Sequence, residues 1–202
     1  MPPRFIARQL SRPTGLLGKF VASLMNRHNA KMNAYALEML RITSSDRVLE
    51  IGFGGGLNIP YLVDHAGFVM GVDRSPDVIR NANARFAAAV NLGRANFREA
   101  AIEALPFESE AFTKICTVNT IYFWQSLDRG IEEIFRVLSP GGTLAIGFLP
   151  KHWMDKGDFP ADIFTPRTPE EVIDALQRAG FSQVQITRPH ETTRWVVALA
   201  SR

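Results

Sequence analysis

The sequence holds a single cysteine, Cys116, in 202 residues. An intrachain disulfide is therefore excluded, and a reducing compartment is favoured. No apolar run approaches the roughly 18 residues needed to cross a bilayer. The opening residues, Met1 to Arg8, carry charge but lack the uninterrupted apolar stretch of a secretory signal. The expected location is cytoplasmic. Histidine is scarce, and no Cys/His cluster has metal-ligand spacing, so no metal site is expected. Acidic residues are missing from residues 1–37, which carry Arg4, Arg8, Arg12, Lys19, Arg27 and Lys31. Such an asymmetry suits contact with an anionic surface, including peripheral contact with a membrane, and equally suits a solvated helix face. Because the net charge of +3 is concentrated on this one short segment, no basic groove is on offer and nucleic acid is not an expected partner.

What is present is an alternation of β-rich runs and helical stretches from Ser45 onward, the pattern of a sheet with crossover helices. The runs are Arg47 to Ile51, Phe68 to Asp73, Ala95 to Glu99, Lys114 to Val118, Thr143 to Phe148, Phe181 to Thr187 and Trp195 to Ala200. Between them, Ser75-Pro76-Asp77 supplies an N-cap, a first-turn proline and an early acid for a helix to about Val90. Leu127 to Leu138 is amphipathic and stops at a turn, Ser139-Pro140-Gly141-Gly142. Thr168-Pro169-Glu170-Glu171 starts another helix, with Gly180 as its C-cap. Two helical stretches precede the sheet. One has Leu16, Leu17, Phe20, Val21, Leu24 and Met25 at helical spacing; the other runs from Asn29 to Leu40, with Met32, Tyr35, Ala36 and Leu40 on one face. Residues 1–40 read as an appended lid or packing segment, and residues 41–202 as one α/β unit.

The glycine run Gly52-Phe53-Gly54-Gly55-Gly56 sits between the first strand and a helix starting near Asn58. Glycine lets the backbone turn sharply and approach a ligand. Two details separate this loop from a dinucleotide fingerprint. Leu57 occupies the position where close helix–strand packing requires glycine or alanine. Glu50 places a carboxylate at the mouth of the loop, which opposes a pyrophosphate and suits an ammonium. No Gly-Lys-Ser/Thr follows, so a phosphate loop of the Walker type is excluded. Asp73 ends the second strand about 20 residues on, where an acid can accept the hydroxyls of a ribose.

Glu50-x-Gly52-x-Gly54-x-Gly56, Gly71-Val72-Asp73-Arg74-Ser75-Pro76, Leu105-Pro106-Phe107 and Arg136-Val137-Leu138-Ser139-Pro140-Gly141-Gly142 occur in this order. Together they resemble the class I S-adenosylmethionine-dependent methyltransferases. The likeness is strongest to the small-molecule subgroup of ubiquinone, sterol and arsenite methyltransferases, and covers about Ser45 to Phe148. The resemblance implies a Rossmann-like α/β fold: a seven-stranded sheet, last strand antiparallel, flanked by helices. It also implies S-adenosylmethionine as cofactor, with S-adenosylhomocysteine as product. Gly52, Gly54 and Gly56 would approach the methionine portion, with Glu50 near its ammonium. Asp73 would hold the ribose, while Arg74 and Ser75 flank the adenine, Ala101 and Ile102 cover its edge, and Asn119 joins the cofactor contacts. Ala101 and Thr113 stand where relatives often carry Asp, which would leave adenine recognition to backbone N–H groups.

The segment after the fourth strand, Asn119-Thr120-Ile121-Tyr122-Phe123-Trp124, is where the resemblance places the acceptor. It lacks the two prolines of enzymes acting on adenine or glutamine amides. Its aromatics suit an apolar or aromatic small-molecule acceptor, lipid- or quinone-like candidates included, or simply pack the core. Departure of a neutral leaving group from a sulfonium needs mainly in-line proximity and desolvation. A base is required only for an acceptor such as a hydroxyl, and Tyr122 and His152 are the catalytic candidates. The alternative is a non-catalytic S-adenosylmethionine-binding regulatory or partner subunit.

Overall fold

The computed structural model describes residues 29–157 and 159–202. The expected helix around Leu16 to Arg27 and the basic residues up to Arg27 lie outside the described residues. Among those described, no helix is long and apolar enough to cross a membrane, and no group of three or more His, Cys, Asp or Glu is arranged to hold a metal ion.

Seven strands form one sheet: β1 (Arg47–Ile51), β2 (Phe68–Asp73), β3 (Ala95–Glu99), β4 (Phe112–Val118), β5 (Leu138–Phe148), β6 (Ser182–Thr187) and β7 (Val196–Ser201). Their spatial order is β3-β2-β1-β4-β5-β7-β6. β1 to β5 are parallel, and β7 runs antiparallel to both β5 and β6. The direction of build-up reverses between β1 and β4, so their carboxyl ends open a crevice, the usual ligand position in such sheets.

Helices cover both faces: α1 (29–40), α2 (Ile59–His65), α3 (Pro76–Arg85), α4 (Ala87–Asn91), α5 (Leu127–Val137), α6 (Lys151–Met154) and α7 (Pro169–Arg178). Successive strand residues point to opposite faces. On one face Val48, Val69, Cys116, Ala145 and Val197 pack with Ala36, Leu37 and Leu40 of α1, Leu62 of α2 and Val78 of α3. On the other, Leu49, Met70, Ile115 and Leu144 pack with Ile131 and Ile134 of α5 and Val172 and Leu176 of α7. Helix α1 thus buries Met32, Ala36, Leu37 and Leu40 in the core of the unit.

Several boundaries differ from the sequence expectation. The helix expected to continue to Val90 breaks at Phe86 (φ −108°, ψ 24°). There the Phe86 ring reaches Phe97, at 5.7 Å between centroids, and approaches Gly56. The turn Ser139–Gly142 belongs to β5, because Gly141 N–H donates to Arg202 O and Arg202 N–H donates to Gly142 O. Phe181 and Trp195 lie just outside β6 and β7. Phe181 packs edge-on against Phe135, and its N–H donates to Leu176 O. Local chemistry elsewhere explains the helix starts. Ser75 accepts from Val78 N–H at the head of α3, and Thr168 with Glu171 forms a full capping box on α7.

Candidate functional site

The loop after β1 turns on three glycines with positive φ: Gly52 (+69°), Gly54 (+50°) and Gly56 (+68°). Gly52 is also closed sterically, since a Cβ there would lie 2.4 Å from Thr120 Cγ2. Its N–H donates to Val72 O, tying the loop to β2. At Gly54 a Cβ would meet nothing within 4 Å, so this part of the loop faces open space.

Two acids stand beside the loop on one face of the sheet. Glu50 sits opposite Gly71 on β2 and Cys116 on β4. Gly71 is small by necessity, because a Cβ there would press into Phe97 and Phe53 at 2.7 and 2.9 Å. Glu50 is 5% exposed; its Oε1 accepts from Asn58 Nδ2 at 2.8 Å, and its Oε2 has no hydrogen-bond partner. Burial pushes its carboxyl up to about 8, against the pull of the Asn58 bond, and the nearby charge of Asp73 adds to the rise. Asp73 is itself buried, which raises its carboxyl, while N–H bonds oppose the shift. Gly54 N–H donates to its Oδ2 at 3.1 Å and Ser75 N–H to its Oδ1 at 2.9 Å. Asp73 therefore holds the glycine loop and the start of α3 in one register, with lone pairs left on both oxygens.

Beyond Asp73, Arg74 is exposed and its guanidinium lies 3.4 Å from Phe123 O, at the limit of a hydrogen bond. Ser75 is fully buried as the α3 cap. Ala101 is exposed, whereas Ile102 is buried and packs where Gly130 of α5 leaves room beside Trp124. A clamp that the sequence reading did not identify holds this segment. Glu133 accepts from Leu105 N–H at 2.8 Å, and Arg136 donates to Leu105 O and Phe107 O while paired with Glu133 at 2.8 Å. The Arg136 bond is the main reason that Glu133 lies below the usual carboxylate range. Only the i,i+3 spacing of the pair was visible beforehand, and that spacing also describes a solvated helix face. Thr113 bonds Asp46 Oδ1 at 2.7 Å at the opposite end of β4.

Across the crevice, β4 is followed by Asn119, a non-glycine residue at φ +58°. Asparagine is among the residues that tolerate this region best. Its N–H donates to Gly147 O, and its Oδ1 accepts from Tyr122 O–H at 3.1 Å. The Tyr122 oxygen in turn accepts from Leu149 N–H. Tyr122 is 5% exposed, and burial raises its phenol further above the ordinary value. Its ring meets Phe123 and Phe164, and Phe164 also meets Phe123 and Phe159, with centroids 5.0 to 6.3 Å apart. Trp124 Nε1–H donates to Thr120 Oγ1, which bonds Thr117 Oγ1 beside Gly52. His152 is exposed on α6, with its ring 5.2 Å from Trp153. The geometry thus gathers Glu50, the three glycines, Asp73 and Asn119 at the ends of β1, β2 and β4. Tyr122 stands beneath the loop after β4, and His152 stands on the surface of α6.

Comparison with known proteins agrees with this architecture. Residues 49–146 match the family described as Methyltransferase domain. The chain is similar to the uncharacterized methyltransferase YdaC of Bacillus subtilis, at 27% identity over 81% of this chain and 86% of that one. It is also similar to the chloroplastic 2-methyl-6-phytyl-1,4-hydroquinone methyltransferase 1 of rice, at 32% identity over 70% of this chain. It spans only 43% of the rice protein's length. Among solved structures, an S-adenosylmethionine-dependent methyltransferase of Aquifex aeolicus superposes with a TM-score of 0.70 and 19% identity, covering 90% of this chain and 97% of that one. At that identity the likeness speaks for the fold.

Proposed function

We propose that the chain is a class I S-adenosylmethionine-dependent methyltransferase, a reading supported by its match to the Methyltransferase domain family, and that it methylates a small apolar or aromatic acceptor of the hydroquinone type, without a general base. The single observation that carries the acceptor class is the aromatic cluster of Tyr122, Phe123, Phe159 and Phe164, whose one hydroxyl is already bonded to Asn119 and Leu149.

The residues around the glycine loop suit the cofactor. Glu50 Oε2, buried and without a partner, suits an ammonium. The open space at Gly54 suits a ligand lying against the backbone. Asp73 keeps lone pairs for ribose hydroxyls while its position is set by Gly54 and Ser75. When bound, the cofactor supplies a methyl group on a sulfonium, whose departure leaves a neutral thioether. The protein then has two tasks. Glu50, Asp73 and the glycine backbone orient the donor, and the aromatic cluster excludes water and presents the acceptor in line. Asn119 and Thr120 stand between the two halves. The name of the rice relative supports an acceptor with a hydroquinone ring. A hydroquinone offers an electron-rich ring carbon or, once ionised in solvent, a phenolate oxygen as nucleophile: the new C–CH3 or O–CH3 bond forms as the S–CH3 bond breaks, and the displaced ring or phenolic proton passes to solvent water. The basic and apolar residues of positions 1–28 carry, in this reading, the contact with an anionic membrane surface where such acceptors reside.

The test is calorimetric titration with S-adenosylmethionine and S-adenosylhomocysteine, followed by methyl transfer to apolar hydroquinones, catechols and hydrophilic amines. The expected outcome is binding of both ligands, weakened roughly 10- to 100-fold by Asp73→Ala, as loss of bonds to a charged acceptor implies, with turnover highest on the hydroquinones. Turnover confined to hydrophilic amines would overturn the acceptor class. For the membrane contact, the full chain should sediment with anionic vesicles better than a chain beginning at residue 29, and equal sedimentation would remove that role.

A further inference from the structure

Helix α1 touches the glycine-loop network at one polar side chain. Asn33 Oδ1 accepts from Asn58 Nδ2 at 2.8 Å, and the same Asn58 nitrogen donates to Glu50 Oε1 at 2.8 Å. Both hydrogens of the Asn58 amide are therefore committed. Asn33 is committed as well, since its own Nδ2 donates to Asn29 O, one turn back, at 2.9 Å. The order of donors and acceptors follows from these three bonds. With the Asn33 NH2 held by its own helix, only its oxygen can face Asn58. Asn58 must then present NH2 on that side, and the second hydrogen of that NH2 points at Glu50. A donor facing Glu50 suits a carboxylate, whereas a flipped Asn58 would present its carbonyl and require the carboxyl to keep its proton.

We propose that Asn33 is a positioning residue for the candidate cofactor site: by fixing the amide of Asn58, it holds Glu50 Oε1 and reserves the unpartnered Oε2 for the ligand's ammonium. The proposal rests on the methyltransferase reading. It assigns a further task to a helix that packs through Met32, Ala36, Leu37 and Leu40 and bonds Thr187 through the Tyr35 hydroxyl. Two features make the task necessary. Glu50 is buried, so an unheld carboxyl there takes up a proton and loses its attraction for a cation. The other titratable groups facing it are Asp73 from β2, whose charge favours the protonated form, and Cys116 from β4, whose thiol is itself held protonated by burial. Among the described residues, the amide chain from Asn33 through Asn58 is what opposes that protonation.

The experiment compares two ligands that differ in the group at issue. S-adenosylhomocysteine carries the ammonium, whereas 5′-methylthioadenosine keeps the adenosine and lacks the amino acid. Binding of both is measured for the wild-type protein and Asn33→Leu across pH 6 to 8.5. At pH 7 the variant is expected to lose about tenfold or more in affinity for S-adenosylhomocysteine, the scale of one hydrogen bond to a charged group, with 5′-methylthioadenosine binding unchanged. The pH at which S-adenosylhomocysteine affinity reaches its plateau should also move upward in the variant. Binding of 5′-methylthioadenosine serves as the control for folding. Equal loss of both ligands, loss of neither, or an unmoved pH profile overturns the proposal. A wild-type protein that binds neither ligand sinks the methyltransferase reading and this proposal with it.

Discussion

The two halves of the crevice are built by different means. On the β1–β2 side, polar groups are buried and each is held by a named partner: Glu50 by Asn58, and Asp73 by the N–H groups of Gly54 and Ser75. On the β4–β5 side, rings do the work: Tyr122 bonds Asn119 and the Leu149 backbone, and Thr120 bonds Thr117 and Trp124. A charged or hydroxylated ligand portion must be met by fixed donors and acceptors, because an unmatched buried polar group costs free energy. An apolar acceptor needs only shape and exclusion of water. The first half therefore tolerates little change, whereas the second can be re-cut by exchanging aromatics.

The sharpest way to break this division is at its seam. Gly52 belongs to the first half and Thr120 to the second, and a Cβ on Gly52 would meet Thr120 Cγ2 at 2.4 Å while keeping φ near +69°. Gly52→Ala should cost roughly 2–5 kcal/mol, the sum of a left-handed residue and an overpacked contact. Denaturant titration measures the loss, and S-adenosylhomocysteine binding should fall with it. Adding Thr120→Ser removes the Cγ2 and should recover the steric part only. Full recovery would mean that the conformation of Gly52 matters less than its space.

Next in size is a pH effect confined to the first half. Glu50 titrates near its ordinary 4.5 when unfolded and at about 8 when folded. The folded state thus keeps a proton that the unfolded chain has released. Its contribution to stability is full below about 4.5 and is lost as pH rises through the window to about 8. Thermal unfolding of the ligand-free protein should show stability falling across that window, and Glu50→Gln should flatten the profile. Tyr122→Phe probes the other half. Removing the hydroxyl leaves Asn119 Oδ1 without its donor and Leu149 N–H without its acceptor, at about 1–2 kcal/mol by denaturation. Affinity for S-adenosylhomocysteine should stay within a factor of two or so. A large loss of affinity would show that the halves are coupled through Asn119.

The same contrast explains what could be read in advance. Strands β1, β2, β4, β5 and β7 announce themselves because their apolar side chains fill both faces of a covered sheet, and the edge strand β3 does so by alternating buried Ala95 and Phe97 with exposed polar residues. Gly52, Gly54, Gly56 and Asp73 were legible because a positive φ and an acid at a strand end each demand one residue type at one place. The Thr168 capping box was legible for the same reason. By contrast, Asn33 and Asn58 are 25 residues apart, and nothing local marks either as the other's partner. Phe164 reaches Tyr122 from a segment with no periodicity, and Phe86 breaks a helix that propensity alone would continue. Residues that act through distant packing leave no spacing in the sequence.

The smallest expected effect belongs to His152, and it decides whether the second half contains any proton chemistry. A working general base contributes about 10²- to 10⁴-fold to the rate, and must stand within hydrogen-bond reach of the proton it removes. His152 is exposed on α6 and rests against Trp153, whose ring Lys156 Nζ and the Arg194 guanidinium also approach, at 4.0 and 5.0 Å from its centroid. His152→Gln should therefore leave turnover within about threefold of wild type, far short of the loss expected for a base, with an unchanged pH–rate profile between 6 and 9. A hundredfold loss that flattens the acidic limb of that profile would instead place a base at the edge of the aromatic cluster, and would make a phenolic oxygen the acceptor atom in preference to ring carbon.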